Sequence, residues 1–305
     1  MMKQVKTTLL FLIALLMLIG CDSDDSENNG NMDPDTPVAE GPFITMWEVE
    51  AGSSITIPTL SDSYTYKYKV NWGDGSETEE TGDATHTYTL EGTYKVSIEG
   101  EFPAISFWNT DGANRLKFKS VEQWGGIEWA TMESAFHSAS FTLNATDAPI
   151  LTNVESTVGM FALGGVSFGE GVNLNSWDVS NVKNMVGMFN QQAGFNEDIS
   201  GWDVSNVTSM DQMFEACFSF NQDLSGWNVS NVTSMSDMFN NATAFNQNLS
   251  GWNVSKVTNV EYMFSNANSF SQDLSDWDVS KVTKCTNFAP NLGSAQRPNF
   301  PAGCE

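Results

Sequence analysis

The chain has 305 residues, room for two ordinary domains, and 40% of them are hydrophobic, enough for a packed core. Its net charge of −25 argues against the basic patches that nucleic acids require, so no nucleic-acid partner is expected. Two histidines, four cysteines without zinc spacing, no phosphate loop and no dinucleotide fingerprint point away from an enzyme and from a resident cofactor.

Residues 1–20 form a separate object. "MMKQVK" carries two lysines and "TTLLFLIALLMLIG" is a short apolar run, the pattern of a secretory signal rather than a spanning helix. "LIGC" resembles the bacterial lipobox. That resemblance implies cleavage before Cys21 and a diacylglyceryl group on its sulfur, hence a membrane anchor. Removing the two signal lysines takes the net charge from −25 to −27. Residues 21–41 are acidic, polar and nearly free of apolar side chains, as expected of a disordered tether. Its acidic cluster, Asp22, Asp24, Asp25 and Glu27, resembles the surface-export signal of Bacteroidota lipoproteins. That resemblance implies display outward from the outer membrane. The alternative is a spacer that keeps the protein in the periplasm.

Residues 42–102 read as strands. In "YTYKYKVNW", Tyr64, Tyr66, Tyr68, Val70 and Trp72 alternate with Thr65, Lys67, Lys69 and Asn71, the period of a half-buried strand. "GDGS" turns the chain, and Tyr94, Val96 and Ile98 alternate again. "VNWGDGS", "HTY" and "GTYKVSI" together resemble the PKD domain, an immunoglobulin-like β-sandwich. The resemblance implies a spacer or a weak protein or glycan binder, with Asp74 serving the turn. Calcium at Asp74 is the competing role.

Residues 103–123 connect this module to repeats over 124–288. Trp177, Trp202, Trp227, Trp252 and Trp277 stand 25 residues apart. Phe189, Phe214, Phe239 and Phe264 keep the same step, with a 28-residue step back to Phe161. A fixed period of this size predicts a repeat architecture. Within one unit, Leu224, Trp227, Val229 and Val232 read as a strand and turn. Val232, Met235, Met238, Phe239 and Ala242, spaced by three and four, read as a short amphipathic helix capped by Thr233. The text "W[DN]VSNVTSM..MF..A..FNQ[DN]L" resembles the BspA-like leucine-rich-repeat surface proteins. That resemblance implies surface display and, for some members, adhesion. The expected fold is mixed α/β: an immunoglobulin-like sandwich followed by a leucine-rich-repeat-like solenoid of strand–helix units, closed by a C-terminal cap at 289–305.

Spacing favours tryptophans that face inward, with exposed sugar-binding platforms as the alternative. If they face in, Asp178, Ser180, Asp203, Ser205, Asn228, Ser230, Asn253, Ser255, Asp278 and Ser280 face out as a candidate binding face. Residues 171–280 hold 12 acidic and two basic side chains, so this face is acidic to neutral. Calcium between rungs competes with plain turn capping there. In an exported chain, Cys285 and Cys304 are candidates for a disulfide that pins the tail; Cys217 reads as a small core residue. The "GVSFG" at residues 165–169 matches a nucleophile-elbow pattern, but both His86 and His137 precede Ser167, and the motif lies in the three-residue insertion of a repeat rather than on a strand-to-helix turn of a large sheet. The expected function is therefore non-catalytic adhesion to a protein or another cell. Glycan capture and a structural or antigenic envelope role are the alternatives.

Overall fold

The computed structural model describes residues 40–304. The signal segment, Cys21 and most of the 21–41 tether lie outside the described residues. The described residues form one compact unit. No helix among the described residues is long and apolar enough to cross a membrane.

Among the described residues nine strands run in chain order: β1 (Phe43–Val49), β2 (Ser54–Ile57), β3 (Lys67–Asn71), β4 (Glu77–Glu80), β5 (Ala84–Thr87), β6 (Gly92–Glu101), β7 (Phe118–Gln123), β8 (Ser140–Leu143) and β9 (Gly165–Phe168). Between β6 and β7 lies α1 (Gly112–Lys117), whose first turn is capped by the Asp111 carboxylate. The alternating tyrosines behave as their period requires. Tyr66, Tyr68, Val70 and Trp72 are buried, while Lys67 and Lys69 face solvent.

One seven-stranded sheet organises the unit, in the order β4-β3-β6-β1-β7-β8-β9; β2 and β5 form a separate antiparallel pair. The β4 to β7 part is antiparallel, and β7, β8 and β9 then pair in parallel. Since β1 pairs with both β6 and β7, the sheet runs from the first 60 described residues directly into the repeats. This corrects the expectation of a self-contained immunoglobulin-like, PKD-like sandwich. Trp124 and Trp129 pack against Phe43, Trp129 also against Phe102, and Phe136 against Trp124, so one continuous core joins both parts of the chain.

The repeats also differ from expectation. Among the described residues helix is limited to six residues of α1 and the three-residue 3-10 turn at Leu174–Ser176. The fold is mostly β and turn, and a leucine-rich-repeat solenoid of strand–helix units is not formed. Two features explain why. First, the expected helix needs right-handed backbone throughout, yet Asp237 (φ 56) and Asn241 (φ 60) are left-handed, as are Gln212, Ala216, Tyr262 and Asn266 at the sister positions. Second, the N–H groups of Met235, Asp237, Phe239 and Asn241 donate to carbonyls of the next unit, Asn259, Glu261, Met263 and Ser265, at 2.8–3.0 Å. The intervening Met238, Asn240 and Ala242 N–H groups fold back three residues, to Met235, Asp237 and Phe239. The segment is a chain of overlapping turns that hands its donors to its neighbour, and the backbone is fully paired without a helix.

The expected strand around each tryptophan is reduced to turns as well. Trp227 N–H bonds Leu224 O, and Val232 N–H bonds Val229 O. What remains of the ladder is one parallel bridge per unit, from Ser156 through Asn184, Ser209, Ser234 and Asn259 to Lys284. The parallel strands stop at β9 because Gln192 occupies its free edge. The Gln192 Oε1 accepts from Val166 N–H at 3.0 Å, and its Nε2 donates to Phe161 O.

Candidate functional site

The tryptophan column lies inside. Trp177, Trp202, Trp227, Trp252 and Trp277 are at most 5% exposed, which removes them as sugar platforms. Each indole from Trp202 onward donates Nε1–H across to the previous unit: Trp202 to Leu174 O (2.7 Å), Trp227 to Ile199 O (3.1 Å), Trp252 to Leu224 O (2.9 Å) and Trp277 to Leu249 O (3.0 Å). Beside them run two stacked phenylalanine columns. Phe189, Phe214, Phe239 and Phe264 are spaced 5.4–5.9 Å, and Phe195, Phe220, Phe245 and Phe270 are spaced 5.6–5.9 Å.

Most repeated polar letters are staples between units. Thr208, Thr233, Thr258 and Thr283 hydroxyls donate to the carbonyl one period earlier. Asn206 and Asn231 amides reach Ser180 O and Ser205 O. In the "FNQ" text, the Asn221 side-chain oxygen accepts from Asn246 N–H, and Gln247 Nε2 donates to Asn221 O. The sequence reading missed these residues as staples. Their signal was the identical polar letter at the same place in each unit.

The ten residues of the candidate face occur as five copies of one turn. The side-chain oxygens of Asp178, Asp203, Asn228, Asn253 and Asp278 accept the backbone N–H of Ser180, Ser205, Ser230, Ser255 and Ser280 at 2.9–3.2 Å. The five Asp/Asn residues are exposed. The serines are half-buried except Ser280, which is exposed. A second row of similar turns, at Asp198, Asp223, Asn248 and Asp273, closes onto Ser200, Ser225, Ser250 and Ser275. The amides of Ser200, Ser225 and Ser275 hold the carboxyls of Asp198, Asp223 and Asp273 below the usual carboxylate range. The Ser280 hydroxyl, then its amide, does the same for Asp278.

These carboxylates are committed to separate turns. Among the described residues no three His, Cys, Asp or Glu side chains gather to hold a metal ion. Asp74 accepts from Ser76 N–H and Oγ–H through Oδ1, while Oδ2 lies 2.7 Å from His86 Nε2. It is a turn cap with a histidine partner rather than a calcium ligand. His137 pairs its Nδ1 with Ser138 Oγ at 2.9 Å and packs edge-on against exposed Trp108. Ser167 sits on β9, at the edge of the seven-stranded sheet, and among the described residues no α-helix follows it. Cys285 and Cys304 are joined by a disulfide, with Cα atoms 5.4 Å apart. Cys217 is buried, as its alanine sister at Ala242 is, and burial pushes its thiol up.

The family described as "Mycoplasma protein of unknown function, DUF285" matches residues 130–233 and 201–298. Together these cover more than half of the chain. The chain belongs to the DUF285 family. This match, with the mostly β fold described above, corrects the resemblance to BspA-like leucine-rich-repeat proteins and to the PKD domain. The shared text marks a period and an inward-facing pattern that strand–helix units and overlapping turns satisfy equally. No curated protein and no solved structure matches the chain.

Proposed function

We propose that this DUF285 chain is a non-catalytic binding protein. In this reading it is anchored through Cys21 at the outer face of the outer membrane, and its repeat face adheres to an extended protein partner on another cell or its matrix. The observation that supports this is the row of five exposed Asp/Asn–Val–Ser turns. At the rise of parallel rungs the row is about 20 Å long. The repeated Thr, Asn and Gln side chains beside it are spent on holding the units together, so this row, together with the second row at Asp198, Asp223, Asn248 and Asp273, is left to meet a partner. A regular, rigid row of small acceptors suits a partner that repeats along its length, and the stapled core costs little reorganisation on contact.

The test is binding of the purified chain to immobilised matrix proteins and, in parallel, to a glycan array. Replacing Asn228 and Asn253 together by Lys should lower protein binding by about tenfold or more, with an unchanged far-UV spectrum. Undiminished binding would remove the face from the reading. Selective binding to glycans would replace adhesion by polysaccharide capture. Protease shaving of intact cells checks display; full protection would place the chain on the periplasmic side.

A further inference from the structure

The repeats end on a row of donors that has nowhere to go. Within the stack, Val260, Tyr262 and Phe264 donate their N–H groups to Lys284, Thr286 and Phe288 carbonyls at 2.7–2.9 Å. One period later the same positions are Cys285, Asn287 and Ala289. Their N–H groups have no acceptor among the described residues. The arc keeps its conformation there: Asn287 is left-handed (φ 54), and Phe288 N–H still bonds Cys285 O. The three donors are therefore alternate amides, at the positions whose sisters Val260, Tyr262 and Phe264 all donate out of their own unit toward the following one.

A further unit does not fit over this end. The tail turns across it, tied by the disulfide between Cys285 and Cys304, with Phe300 packed edge-on to Phe288 at 5.1 Å. Between arc and tail lies a cavity of about 630 Å³, lined by Cys285, Asn287, Ala289 and Arg297 among others. Arg297 Nη2 is tied to Pro290 O at 2.9 Å, while its Nε is buried without a partner. A buried donor without an acceptor is unfavourable, and more so when it is charged. One cavity is thus lined by residues with free backbone donors and by a guanidinium with an unpaired N–H, so its complement is an acceptor of negative charge.

We propose that this end cavity is a binding site for an oxyanion, a carboxylate or sulfate group, held by the amides of Cys285, Asn287 and Ala289 and by Arg297. The site is separate from the turn row and does not depend on the adhesion reading. A planar guanidinium beside aligned amides recognises such a group by directed hydrogen bonds, so the site works despite the chain's net charge of −25.

The experiment is an amide-resolved NMR titration of the full chain with sodium acetate and, separately, with sodium sulfate, at constant ionic strength. The expected result is saturable shifts at Cys285, Asn287, Ala289 and the Arg297 Nε–H, described by one Kd. The stronger of the two anions identifies carboxylate or sulfate. Arg297→Gln should weaken binding about tenfold or more. Lys281→Gln, the same change of charge on an exposed position, should leave Kd unchanged. Where Arg297→Gln disturbs the tail, Arg297→Lys keeps the charge, loses the fork, and should still bind more weakly. The proposal is overturned if these amides do not shift with either anion or shift without saturating. It also fails if Lys281→Gln weakens binding as much as Arg297→Gln.

Discussion

Single side chains here do two jobs at once, and the tryptophans show it best. From Trp202 onward each indole of the column fills the core and also satisfies a carbonyl of the preceding unit, a second role Phe could not fill. Asp74 shows the same economy. The Ser76 hydroxyl, and then the His86 ring, hold its carboxyl down from 3.8 to about 2. A carboxylate whose folded value is depressed contributes stability above its unfolded value and loses it as pH falls through the folded one. Asp74→Asn should therefore melt below the parent at neutral pH, and the gap should close between about pH 4 and pH 2. Thermal melts across that range are the check; a gap independent of pH would show that the charge of Asp74 contributes nothing.

The element that defines the repeats is the arc of overlapping turns around each "MF" pair. It places two left-handed residues per unit, four positions apart. After Ser134 in the first arc, the next two units carry glycine at the first of these, Gly159 and Gly187, where left-handed backbone is free of Cβ strain. Gln212, Asp237 and Tyr262 carry side chains there instead. Left-handed backbone costs a residue with a Cβ about 1–2 kcal/mol, while glycine adds about 0.5–1 kcal/mol of unfolded-state entropy. Gln212 is exposed, so Gln212→Gly removes the strain without removing packing. It should raise stability by about 0.5–1 kcal/mol in urea unfolding. Destabilisation would mean that Gln212 makes a contribution the backbone argument omits. In the same element burial first, and then Asp237, pushes the Glu215 carboxyl up, while Asn190 pulls it back.

At the scale of the molecule, a stack of near-identical rungs must end somewhere without exposing its core or its ladder. The sheet closes the first end: β7, β8 and β9 begin the parallel stacking, and β1 joins β7 to the antiparallel strands. The tail closes the other, and its disulfide spans 19 residues. A loop of this length limits the unfolded chain by about 3 kcal/mol. Reduction, or Cys304→Ser, should therefore release the tail and lower stability by up to that amount. Hydrogen exchange should show protection lost first at Phe264 and Phe288 and retained at Trp202 and Phe214. Loss spread evenly along the stack would show that the units melt as one and that the cap has no local role.

The period, the inward tryptophans and the alternation in β3 were all legible, because each is a matter of which side chains recur and how apolar they are. The Asp/Asn–Val–Ser turns were legible as outward residues for the same reason. The backbone of the repeats was not. Val232, Met235, Met238, Phe239 and Ala242 point one way in an amphipathic helix and in a chain of overlapping turns alike, so side-chain spacing cannot separate them. What separates them is where the N–H groups of Met235, Asp237, Phe239 and Asn241 go, and their acceptors belong to the next unit 24 residues away. The end cavity was hidden for the same reason, since free donors at Cys285, Asn287 and Ala289 exist only where no further unit follows. The sequence by itself determined the repeat and its buried face, through hydrophobic pattern. The tertiary structure alone decided the conformation of each unit and the two closures of the stack, because hydrogen bonds between units, not within them, complete the backbone.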